Sequence, residues 1–157
     1  MRRTVLAIVA ALGAAGCSKP AGDLVTPEGT GTRRRLTAAF TLYTAYLDKK
    51  GRSPLTADEL SAFGEKLPTT EGGPVSLTPE FMVSPRDKQA IVVRYGLPLK
   101  PTPKPPAGQD PPPPTEGPVL AYEAAGVNGK RFVVFAGTGR VDELDEAAFR
   151  AAVPDAR

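Results

Sequence analysis

The order of folding signals predicts an α+β protein: two helices, a small antiparallel sheet of three to four strands, and one short C-terminal helix. Three observations carry that reading. From Arg33 to Lys50 the apolar residues Leu36, Ala39, Phe40, Tyr43, Tyr46 and Leu47 recur at three- and four-residue steps, the period of one helix face. Thr56 and Glu59 have the spacing of a capping box at the head of a second helix. Three β-branched and aromatic runs, Ala90–Tyr95, Val119–Glu123 and Arg131–Ala136, are each bounded by turn residues.

In chain order, the first helix is expected to be capped by Thr30 or Thr32 and to leave its axis at Gly51. The second follows Ser53-Pro54, with Leu55 and Leu60 placed as a hydrophobic staple. Its apolar face continues through Phe63 and Leu67, and Pro68 stops it. Ser84-Pro85-Arg86-Asp87 makes a turn that orients the first strand. Asn128-Gly129 tolerates positive φ and suits the hairpin loop between the second and third strands. Thr138–Asp142 is expected to add the fourth strand. The last helix starts near Asp145, is stapled by Leu144 and Phe149, and ends before Pro154. Phe40, Tyr43 and Leu47 are expected to pack on Ile91, Val93, Phe132 and Val134, or on their neighbours in the opposite register. Strand alternation alone does not choose between the two faces.

The domain organisation rests on composition. Met1-Arg2-Arg3 is a short positive region, Thr4 to Leu12 a short apolar one, and Gly13-Ala14-Ala15-Gly16 a small-residue run that ends at Cys17, the single cysteine. This is the plan of a signal peptide rather than a membrane span. Ser18 to Gly31 is rich in Gly, Pro, Ser and Thr and reads as a tether. Pro98 to Pro118 holds ten of the 18 prolines, with little that packs. A disordered insertion and a Pro-rich ligand for a partner domain are its two readings. The expected layout is therefore 1–16 signal peptide, 17–31 anchor and tether, and 32–157 a single domain interrupted at 98–118.

The residues before Cys17 resemble the lipobox of bacterial lipoproteins, with Ala14 at the position those proteins most often fill with Leu. The resemblance implies cleavage between Gly16 and Cys17, a thioether from the Cys17 thiol to diacylglycerol, and usually acylation of its amine. Two or more chains hold a protein on a membrane where one anchors only marginally. The other readings of Cys17 are a buried free thiol or an ordinary secreted protein cleaved near Gly16. Ser18 after the cysteine implies, by the same resemblance, an envelope protein of the outer membrane facing the periplasm or the cell surface.

Charge and motifs exclude more than they assign. The chain carries 20 Lys+Arg against 17 Asp+Glu. Loss of Arg2 and Arg3 with the signal leaves 18 against 17, so a nucleic-acid surface does not follow from the basic total. Arg33-Arg34-Arg35 is a local cluster, read as a solvated helix start or as a contact for anionic headgroups. The chain has no histidine, which removes Ser-His and Cys-His nucleophile pairs and imidazole metal sites. No phosphate loop, dinucleotide fingerprint or nucleophile elbow is present, and Gly137-Thr138-Gly139 alone is a turn. Asp58 with Glu59, and Asp142 with Asp145, are the nearest carboxylate pairs, both at helix starts where capping accounts for them. No catalytic residue, cofactor or metal site is assigned.

Tyr43 and Tyr46, Gly51, Pro54 and Leu60, then Ser84-Pro85-Arg86-Asp87 before the Ala90–Gly96 strand, resemble the soluble part of type II secretion pseudopilins and other pilin-like proteins. The stretch from Ala121-Tyr122-Glu123 to Gly137 is similar to small bacterial lipoproteins of unassigned function. The chain departs from pseudopilins in offering a lipobox in place of a prepilin peptidase site and a long apolar helix. No acidic calcium loop is recognisable near Phe135–Gly139. The expected function is a membrane-anchored envelope lipoprotein that binds or scaffolds an envelope partner without catalysis. A pilin-like accessory component of a secretion or pilus system is the alternative, and a weak hydrolase a third.

Overall fold

The computed structural model describes residues 26–67, 77–99 and 116–156. Cys17, the segment before Thr26 and residues 100–115 of the Pro-rich insertion lie outside them.

The first helix, α1 (Pro27–Lys50), starts well before Arg33. Thr26 is its N-cap and accepts a 3.1 Å hydrogen bond from the Gly29 N–H, while Pro27 occupies the first helical position, where an absent N–H costs nothing. Residues 27–31, expected in the tether, are therefore helical. Gly29 and Gly31 look like linker residues but are there because neighbours come close. A Cβ on Gly29 would lie 3.2 Å from Thr26 Oγ1, and one on Gly31 would lie 3.0 Å from Pro85 Cγ. Lys49 and Lys50 face the negative end of the helix, and Gly51, at φ 69°, closes it by donating to the Leu47 carbonyl.

The second helix, α2 (Ala57–Gly64), is capped as its sequence predicts: Thr56 accepts from the Glu59 N–H at 3.2 Å. Glu59 reaches back to the N–H of Leu55, at 2.8 Å, rather than to that of Thr56. The expected staple does not form, since Leu55 is 65% exposed while Leu60 is fully buried. The cause lies upstream. Ser53 Oγ donates to the Leu97 carbonyl (2.6 Å) and the Pro54 carbonyl accepts from the Gly96 N–H (2.8 Å). These bonds fix the approach to α2, and Leu55 ends up facing solvent.

Four strands follow, β1 (Ile91–Val93), β2 (Val119–Glu123), β3 (Lys130–Phe135) and β4 (Val141–Asp145), antiparallel and in the order β1-β2-β3-β4. The β2–β3 connection turns at Asn128 and Gly129, both at positive φ (53° and 72°), with Val127 and Lys130 exchanging backbone bonds across the tip. The fourth strand begins later than Thr138, because residues 136–138 form a turn and Gly139, at φ 67°, donates to the Phe135 carbonyl. The final helix, α3 (Glu146–Ala152), is capped by Asp145, and Leu144 packs in the same cluster as Phe149, as the staple requires.

Both sheet faces are covered. Leu36, Tyr43 and Tyr46 of α1, with Leu60 of α2, pack on Ile91, Leu120, Ala121, Phe132 and Val134; Phe40 and Val93 border this cluster half-buried. This is the first of the two registers that alternation allowed. Val119, Tyr122, Val133 and Phe135 form the opposite face, covered by Phe149 and Val153. A register shift between Val119 and Ala121 lets β2 place both Leu120 and Ala121 on the α1 side.

Candidate functional site

The densest group of polar side chains grows from the Ser84–Asp87 turn. Ser84 is fully buried, and its Oγ lies 2.9 Å from both Thr32 Oγ1 and Glu123 Oε1. It also accepts from the backbone N–H groups of Arg86 (3.2 Å) and Asp87 (3.4 Å). The second oxygen of Glu123 accepts from the Phe132 N–H at 2.8 Å and from the Arg86 guanidinium at 3.4 Å. Arg86 in turn pairs with Glu143 at 2.6 Å and lies 4.4 Å over the Phe132 ring. Asp87 receives the N–H groups of Gln89 (3.0 Å), Ala125 (3.1 Å) and Gly126 (2.8 Å), which ties the turn to the β2–β3 hairpin.

The two carboxylates respond differently to this setting. Burial pushes the Glu123 carboxyl above its ordinary value, and the Phe132 N–H, the Ser84 hydroxyl and Arg86 offset that only in part. Burial acts upward on Asp87 too, but its backbone N–H donors outweigh it and hold the carboxyl low. Ser84 and Glu123 are both fully buried, so no substrate reaches either in this conformation. The group joins α1, the turn, β2, β3 and β4, and its chemistry is that of a structural hub. Sequence reading missed Glu123. Its one signal was an acidic residue at the end of the apolar run Val119–Tyr122, in step with inward-facing Ala121.

Among the described residues, two solvent-open recesses have mixed polar and apolar linings. One, about 260 Å³, lies between the end of α1 and α2 and is lined by Tyr46, Lys50, Arg52, Glu59, Phe63 and Lys66. Arg52 pairs with Glu59 and the Tyr46 hydroxyl donates to it. The Arg52 guanidinium is the main cause that holds the Glu59 carboxyl down at about 2, with the Leu55 N–H and the Tyr46 hydroxyl adding to it. Tyr46 and Phe63 meet edge to face, with ring centroids 5.2 Å apart. The other recess, about 360 Å³, lies between α2 and β1 and is mostly apolar, with Leu77, Met82, Ile91, Val93 and Tyr95 beside Asp58 and Ser61. Burial raises the Tyr95 phenol, and the neighbouring Tyr43 and Asp58 raise it further.

The residues singled out in the sequence fall in different places. Gly16 and Cys17 lie outside the described residues. Asp58 and Glu59 part company, each lining a different recess. Asp142 pairs with Arg140 (2.5 Å) while Asp145 caps α3 through the Ala148 N–H (2.8 Å). Of the three consecutive arginines only Arg34 is fully exposed. Arg33 stacks 4.5 Å over Phe132, and Arg35 donates to the carbonyls of Glu80 (3.2 Å), Phe81 (2.8 Å) and Val83, so two of the three help hold the fold. Among the described residues no three His, Cys, Asp or Glu side chains are placed to hold a metal ion, and no helix is long and apolar enough to cross a membrane.

No protein-family model, curated protein or solved structure matches the chain.

Proposed function

We propose that the chain is a lipid-anchored protein of a bacterial cell envelope whose folded part binds or scaffolds another envelope component rather than catalysing a reaction. The observation that carries this reading is the short distance along the chain from Cys17 to the Thr26 cap of α1. At ~3.3–3.6 Å per residue, residues 18–26 span at most about 30 Å, so a lipid on Cys17 would hold the domain close to the membrane surface. A binding role is supported by where the reactive groups are used. Ser84 and Glu123 are buried in the hub, and Glu59, Asp87 and Asp145 accept backbone N–H groups. The two solvent-facing recesses carry aromatic, apolar and charged linings of the kind that hold a ligand.

Labelling with palmitate tests the anchor. Cys17→Ala is expected to abolish the label and to leave the precursor uncleaved. Continued labelling and membrane fractionation of the variant would overturn the reading.

The pilin-like alternative draws on the 24-residue α1 lying against a four-stranded antiparallel sheet, with the Ser84–Asp87 turn leading to β1. That plan is the one its resemblance implies. Co-purification with a secretion ATPase or a prepilin peptidase would favour it over the simpler anchored binding protein.

A further inference from the structure

The recess between α2 and β1 joins one border of the core to polar groups that no described residue pairs. Its wall is apolar, formed by Leu77, Met82 and Ile91 among others. Along one rim, Asp58 and Ser61 are three residues apart on α2 and share a helix face. Among the described residues no cation pairs with Asp58.

The opposite rim is the outer edge of β1. The Ile91 N–H points outward to the Met82 carbonyl (2.6 Å) and the Arg94 N–H inward to the Leu120 carbonyl (2.8 Å). Backbone direction alternates along a strand, so the N–H and C=O of Val93 point outward. The Met82 carbonyl closes the edge on one side of Val93. Among the described residues nothing pairs with the outward backbone of Val93 itself. An edge this short, closed on one side by Met82 and free at Val93, accepts one short extended segment.

We propose that this recess takes the free amino end of an apolar peptide. The peptide's α-ammonium group pairs with Asp58, its first amide with the outward backbone of Val93, and its apolar side chain lies against Leu77, Met82 and Ile91. This rests on the binding role proposed above and gives that role a ligand chemistry: an amine, an amide and an apolar side chain on one short segment. At about 360 Å³ the recess is at the small end of ligand sites, which matches a peptide end rather than a folded partner.

Leu-Val-Leu-amide is a suitable probe, titrated into the chain from Ser18 to Arg157, which keeps every described element, and followed by amide NMR. Saturable shifts are expected at Val93 and Tyr95, with those at Lys50 and Lys66 in the other recess small. Acetylating the peptide's amine should weaken binding about tenfold or more, because a charge-assisted hydrogen bond is lost. Asp58→Asn should do the same, while Thr56 and Glu59 still cap α2. Equal affinity for the acetylated peptide, or no saturable shift at Val93, overturns the proposal; the acetylation arm needs no variant and so cannot fail through misfolding. The titrated chain carries no lipid, so failure here leaves the anchor standing, and failure of palmitate labelling leaves this site standing.

Discussion

Replacing Glu123 tests whether the buried hub holds the fold in the way its geometry implies. In Glu123→Ala the Phe132 N–H loses its 2.8 Å acceptor inside the core, which costs ~1–3 kcal/mol. The one buried methylene removed adds ~0.8 kcal/mol. Ser84 keeps Thr32, and Arg86 keeps Glu143 and the Val127 carbonyl, so neither is orphaned. The expected loss is about 2–4 kcal/mol, a large share of the ~5–15 kcal/mol available to a small domain. Glu123→Gln keeps the shape and an acceptor for Phe132, and should cost far less.

The pH dependence separates the two possible roles of the charge. The folded carboxyl titrates above its ordinary value of 4.5 because burial dominates. As pH rises past that value the unfolded chain releases the proton first, so Glu123 erodes stability with rising pH until the folded group has also ionised. Glutamine has no proton to lose. Urea midpoints at pH 4, 5.5 and 7 should therefore show Glu123→Gln gaining on the wild type as pH increases. A wild type that gains on the variant over the same range would refute the reasoning, and would mean that Arg86 stabilises the carboxylate by more than burial penalises it.

Three further substitutions probe single positions. Gly126 and Gly129 have nearly the same φ (73° and 72°), but a Cβ on Gly126 would collide with the Lys130 carbonyl oxygen whereas Gly129 faces open space. Gly129→Ala should cost about 1 kcal/mol, the price of the left-handed backbone alone, and Gly126→Ala clearly more, as read from urea midpoints. Equal shifts would mean that the hairpin relaxes freely around residue 126. Tyr43→Phe removes a buried hydroxyl that has no partner among the described residues and should raise the thermal midpoint or leave it unchanged; a clear drop would reveal a partner for that oxygen.

Much of the fold was legible where local chemistry and tertiary packing agree. The Thr56 cap, the Leu144–Phe149 staple, the Asn128-Gly129 turn and the strands around Val119–Glu123 and Arg131–Phe135 follow from residue type and spacing. The helix start at Pro27 was missed because two glycines lower helix propensity, by ~1 kcal/mol each, and so imitate a linker. Packing against Thr26, Phe132 and Pro85 overrides that cost, although Thr26-Pro27-Glu28 is itself a start signal. Leu42 was missed for a related reason: it flanks the stripe that the periodicity picked out, yet is almost fully buried. The polar hub was half legible. Ser84 and Asp87 announce a turn, but the partner that gives Ser84 its environment, Glu123, is 39 residues away in sequence. The open edge at Val93 has no sequence signature at all, because it arises from which backbone group the Met82 carbonyl happens to occupy.

The two borders of the sheet bear on behaviour in a crowd. A protein confined to a membrane plane, as the proposed anchoring requires, meets copies of itself far more often than one free in solution, and exposed strand borders are where such copies would zip together. β1 is three residues long and is interrupted on its outer side by Met82. β4 carries Asp142, Glu143 and Asp145, so two copies meeting along it would bring like charges face to face. Neither border offers the long, flat, apolar rail that strand-on-strand polymerisation needs, and the domain is suited to dense packing on a surface without forming fibres.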